Sequence, residues 1–60
     1  MTLKELFNHF NDKTTKVDLS TPQFRTIKPI NYLESTLSED ILNSQVSNWF
    51  TDNTILTADL

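Results

Sequence analysis

The chain contains no glycine and no cysteine, and only one histidine. Without Cys there is no disulfide and no thiolate zinc site. A single imidazole, His9, cannot build a His-rich metal centre. Without Gly there is no phosphate-cradling loop, because such loops need close backbone approach that a Cβ blocks. Tight turns must fall on Asn and Asp, which tolerate left-handed backbone better than other non-Gly residues. No run approaches the roughly 20 apolar residues of a membrane span. The opening "TLKELFNHFND" is interrupted by acid, Asn and His, unlike the unbroken apolar stretch of a secretory signal. Together these absences predict a soluble cytoplasmic protein with no cofactor and no metal.

Basic residues are missing from the whole second half. Residues 1–30 hold all five Lys and Arg and three of the eight acids, a net of +2. Residues 31–60 hold the other five acids and no basic group, a net of −5. Such asymmetry hints at an interaction surface. If strands from the two halves interleave, the charges instead mix in space.

At 60 residues the chain is one small acidic domain, 1–60. Folding at this size buries only about 60 % of the surface exposed by the unfolded chain, so stability is marginal. Small domains commonly add disulfides, a metal or an oligomeric contact. Only the last remains open here, which makes a homodimer an expectation.

The clearest element is the first. Leu3, Leu6, Phe7 and Phe10 recur at i, i+3, i+4 and i+7, one apolar stripe of a helix. Thr2 and Glu5 form a capping box at its start, and Asn11-Asp12 is placed to stop it. "KTTKVDLS" has strand character, with Val17 and Leu19 on one face. "QFRTI" is a second strand, with Phe24 and Thr26 on one face and Arg25 and Ile27 on the other. A loop near Ser20–Gln23 joins the two as a hairpin. Pro29 cannot donate to a ladder, so this strand ends there or lies at an edge. Ile30, Tyr32 and Leu33 then lead beneath the sheet. Ser35, Thr36 or Ser38 can cap a second helix over roughly 38–44, and Thr36 with Glu39 makes a second capping box. In the tail, "VSNWF" and "TILTADL" flank Asp52-Asn53, a hairpin turn by position and residue type. A two-residue loop there sets Trp49 opposite Leu56 and Phe50 opposite Ile55. The order α-β-β-α-β-β predicts an α+β domain: a small antiparallel sheet of three to four strands with two short helices.

"MTLKELF", "LSEDILNSQV" and "WFTDNTILTADL" carry a resemblance. In that order they are similar to small uncharacterised proteins encoded by phages and prophages of low-GC Gram-positive bacteria. Those proteins open on a similar short helix, continue through a strand pair and an acidic helical segment, and close on a second strand pair. Ser38 stands where that pattern has Pro, and the Gly of its first hairpin is missing. The shared positions are caps and core positions, so the resemblance transfers no catalytic residue. It implies a phage or mobile-element protein.

Chemistry-bearing residues are few. Nucleophilic catalysis needs Ser or Thr beside a base and an orienting acid. His9 instead sits on an exposed helix face beside Glu5. Glu39 and Asp40 are adjacent, and adjacent helical residues do not face each other. They serve better as acids of a helix first turn. No enzyme is expected. The leading expectation is a non-enzymatic protein that binds and modulates a host or phage protein, with inhibition of host defence as one such role. Its surface would centre on Trp49, Phe50, Ile55 and Leu56, rimmed by Asp52 and Asp59, since aromatics concentrate at interface cores. A second reading is a nucleic-acid-binding accessory protein. Lys13, Lys16, Arg25 and Lys28 would grip phosphate along one face of the first hairpin, with Phe24 stacking a base. Its pI of about 4.7 weighs against that. A third is a structural subunit of an assembly.

Overall fold

A computed structural model describes all 60 residues. Helix α1 spans Leu3–Asn8. Its capping box is formed: the Glu5 amide donates to Thr2 Oγ1 at 3.1 Å, and the Thr2 amide donates to Glu5 Oε1 at 2.8 Å. Leu3, Leu6 and Phe7 are fully buried. The helix ends before Asn11-Asp12, with His9 as its C-cap. Lys13 then folds back and donates from Nζ to the Phe7 carbonyl at 2.7 Å, supplying a cation and a donor to the carbonyl end. Asp12 accepts the Thr14 amide at 3.0 Å, a local turn that launches the first strand.

Strand β1 (Lys16–Ser20) and strand β2 (Arg25–Pro29) form the first hairpin. Pro29 closes β2 and sits at the N-cap of helix α2 (Ile30–Thr36). The segment read as a lead-in beneath the sheet is therefore a helix. Ile30 and Leu33, one turn apart, bury its inner face. The Thr36 hydroxyl donates to the Tyr32 carbonyl at 2.8 Å inside α2, so the second capping box expected at Thr36 and Glu39 does not form. Ser38 caps helix α3 (Glu39–Leu42) instead, accepting the Ile41 amide at 3.4 Å. The N-terminal segment is tied to the chain that follows α3. The Leu3 amide donates to Ser44 at 3.0 Å, and the Val46 amide to Met1 at 2.9 Å.

Strands β3 (Asn48–Asp52) and β4 (Ile55–Asp59) form the second hairpin. Its turn lies one residue later than the sequence suggested, at Asn53-Thr54. Asn53 is the residue that adopts positive φ, at 55°. Trp49 consequently opposes Ala58, Phe50 opposes Thr57 and Thr51 opposes Leu56.

The sheet runs β2-β1-β4-β3. The α+β class and the order of elements hold, but the sheet is mixed and the helices number three. β1 and β4 pair in parallel, from Lys16 beside Ile55 to Ser20 beside Asp59. Parallel neighbours need a crossover, and the path through α2 and α3 provides it across one face. The ten buried residues form one cluster. The central strands contribute Val17, Leu19, Leu56 and Ala58, all on one side of the sheet, and the helices contribute the rest. Every helix packs on that side.

Candidate functional site

The other side of the sheet carries no helix. Pairing register places twelve side chains there in three rows. The middle row is Ile27, Asp18, Thr57 and Phe50. One outer row is Pro29, Lys16, Ile55 and Asp52; the other is Arg25, Ser20, Asp59 and Asn48. Three large apolar groups stand in water on this face: Ile27 is 52 % exposed, Phe50 51 % and Ile55 38 %. Exposed apolar residues scattered singly are ordinary. Here three occupy one flat surface, which binding surfaces favour.

Between them lies an ion pair of defined shape. Arg25 Nε donates to Asp18 Oδ1 at 3.0 Å, and Nη2 donates to Oδ2 at 2.7 Å. The fork is two-pronged, the geometry that distinguishes Arg from Lys. The hydrogen bonds from Arg25 hold the Asp18 carboxyl below its ordinary 3.8, against partial desolvation that pushes it up. The same contact raises Arg25. A carboxylate lowered in the folded state lends stability above its unfolded value, and that stability is lost as pH falls through the lowered one. The Asp18 carboxyl should thus titrate below 3.8 by carbon-detected NMR, and Arg25→Ala should move its midpoint upward. A wild-type midpoint at or above 3.8 would contradict the pairing.

The structure divides the residues expected to bind a partner. Phe50, Ile55, Asp52 and Asp59 share the open face. Leu56 is fully buried in the core and has no surface to offer, because alternation along β4 sets it with Ala58 toward the helices and opposite to Ile55. Trp49 is 46 % exposed but lies on the helix side of the edge strand β3, beside Ala58. Ile27 was missed as a binding residue. Its signal was present in the alternation of "QFRTI", which sets it with Arg25 and away from Thr26.

The four basic residues do not form one stripe. Lys16 and Arg25 are on the open face, where Arg25 is committed to Asp18. Lys28 is on the helix side, with Nζ 5.4 Å from the centre of the Tyr32 ring. Lys13 is held by the Phe7 carbonyl and lies 3.9 Å from Glu34. Phosphate contacts along one face would need these groups aligned. The two hairpins also stay side by side instead of interleaving. The sheet keeps its basic residues on β1 and β2, while β3 and β4 carry only Asp52 and Asp59.

Two open grooves border the face. One of about 370 Å³ lies over Asp18, Phe50, Asp52, Ile55 and Thr57. Phe50 and Ile55 give it apolar walls, and its two carboxylates are Asp52 and the Arg25-bound Asp18. The other, about 490 Å³, lies between the loop preceding β1 and the Asn53 turn, and its lining mixes Phe10 and Ile55 with Asp12, Lys16 and four threonines. His9 is exposed at the end of α1. No three His, Asp or Glu side chains converge as metal ligands, and no helix is long and apolar enough to cross a membrane. No protein-family model, curated protein or solved structure matches the chain.

Proposed function

We propose that this chain is a non-enzymatic binding protein that works by occlusion. Its open sheet face lies against a partner protein and covers the surface by which that partner acts. The observation that supports this reading is the uncovered side of the sheet, with Ile27, Phe50 and Ile55 exposed around the Asp18–Arg25 pair. Such a face supplies apolar area at its centre and charge at its rim, the usual anatomy of a protein interface. The acidic β3–β4 side sets the orientation, favouring a partner with basic groups and speeding encounter with it. The resemblance in "MTLKELF" and "LSEDILNSQV" supports a phage or mobile-element attribution, and on that attribution the partner is a host or phage protein in the host cytoplasm, with inhibition of host defence as one form the occlusion takes. The dispersed basic residues give the nucleic-acid reading less support.

The test is affinity capture from lysates of a low-GC Gram-positive bacterium with three baits. Wild type and Lys28→Ala should retain the same protein, since Lys28 lies on the helix side. Ile27→Glu combined with Ile55→Glu should lose it, because both changes put charge on the open face without touching the core. If every protein retained by wild type is retained equally by the double variant, the face is not the binding surface.

A further inference from the structure

The two edges of this sheet differ in chemistry. Soluble proteins blunt exposed edges with Lys, Pro, bulges or brevity, because an unpaired strand is a template for another strand. Edge β2 is blunted: it contains Arg25, Lys28 and Pro29. Its hairpin closes with the Thr21 amide donating to the Phe24 carbonyl, so alternation turns Arg25, Ile27 and Pro29 outward along the edge. Pro29 has no amide to offer there. Edge β3 reads Asn48, Trp49, Phe50, Thr51 and Asp52, with no Lys, Arg or Pro, and all five residues are exposed. Trp, Phe and Thr are residues that strands favour.

The hydrogen bonds fix which β3 groups are free. The Leu60 amide donates to Ser20 on the β1 side, and the Asp59 carbonyl accepts the Ser47 amide on the β3 side. Alternation then turns Ile55, Thr57 and Asp59 toward β3, where they meet Asp52, Phe50 and Asn48. Trp49 and Thr51 are left with amides and carbonyls pointing away from the sheet.

We infer that the occupant of this edge is a second copy of the same chain, paired antiparallel about a two-fold axis through Phe50. In that register the outward groups of Trp49 meet those of Thr51 in the partner copy, giving four backbone hydrogen bonds. Phe50 meets its own counterpart at the close, non-hydrogen-bonded position, where side chains approach best. Asp52 meets Asn48, so no carboxylate lies directly opposite another. Shifting the axis to Asp52 would set like charges together, which disfavours that register. The chain also has reason to associate: ten of 60 residues are buried, and it has neither disulfide nor metal to supplement them. The product is an eight-stranded sheet in which two open faces become one, with the paired Phe50 rings at its centre. This goes beyond the occlusion reading and does not depend on it.

An edge of five residues per chain is a small interface, so association is weak and visible only at high concentration. Light scattering of the pure chain between about 10 μM and about 1 mM should show the mass climbing from 7.0 kDa toward twice that value. Added salt should strengthen the dimer, because both copies carry −3 and screening relieves their repulsion. The Trp49 and Thr51 amides should exchange more slowly with solvent as concentration rises. Thr51→Pro removes an outward donor, and Phe50→Glu sets two carboxylates at the axis. Each should weaken association at least tenfold, and Phe50→Glu keeps the test valid if the proline variant fails to fold. A constant 7.0 kDa mass in wild type overturns the inference, as does a dimer that both variants leave intact.

Discussion

Phe7→Ala is expected to remove the larger part of the chain's folding stability. Phe7 is the largest fully buried side chain, and α1 reaches the sheet through it together with Leu3 and Leu6. Truncating a buried Phe costs about 3–5 kcal/mol, part transfer free energy and part cavity. A domain of this size has on the order of 3–9 kcal/mol in total. The cavity cannot close by shifting α1, because the helix is pinned at both ends. Its start is bound to Ser44 and Val46, and its end to Lys13. Circular dichroism against temperature checks this. A sigmoidal melt displaced by only a few degrees would show that the Phe7 site can collapse and that the core is looser than described.

Deleting residues 55–60 should be equally damaging, although the cut touches only the C-terminal strand. β4 lies inside the sheet, parallel to β1 and antiparallel to β3. Its loss removes Leu56 and Ala58 from the core and leaves β3 with no strand to pair with. Loss of the Leu56 side chain alone is in the range of about 2–5 kcal/mol. In a simple meander β4 would be an edge, and its removal would expose one neighbour only. The shortened chain should therefore give a collapsed, poorly dispersed amide spectrum. A well-dispersed spectrum would contradict the central placement of β4.

The contrast between these elements shows what local sequence carries. α1 was legible because its stripe and its Thr2–Glu5 box act within one turn. Both hairpins were legible because their strands are neighbours in the chain. The parallel β1–β4 pairing was not, since nothing in "KVDLS" or "ILTAD" names a partner nearly 40 residues away; the crossover through α2 and α3 decides it. α2 was missed because Pro29 was read as the end of a strand. It also serves as the entry to a helix, whose Ile30 and Leu33 carried the helical spacing. The second turn slipped by one residue because Asn53, not Asp52, takes the left-handed conformation. The loop keeps two residues, so the pairing moves by two, and Phe50 still shares a face with Ile55 and Trp49 with Leu56. Leu56 was assigned to the surface on the strength of a neighbourhood in sequence, whereas strand alternation separates it from Ile55. Of the proposed surface, Phe50, Ile55, Asp52 and Asp59 were readable. Ile27 joins them only once the two hairpins are set side by side.

The most direct test of a sheet packed on one side and bare on the other is solvent paramagnetic relaxation of the dilute chain, using an inert gadolinium chelate. The Ile27 and Ile55 methyls and the Phe50 ring should relax strongly, while Val17, Leu19, Leu56 and Ala58 should be shielded. Equal shielding of both sets, or strong relaxation at Leu56 and Ala58, would contradict the one-sided arrangement on which the proposed function stands.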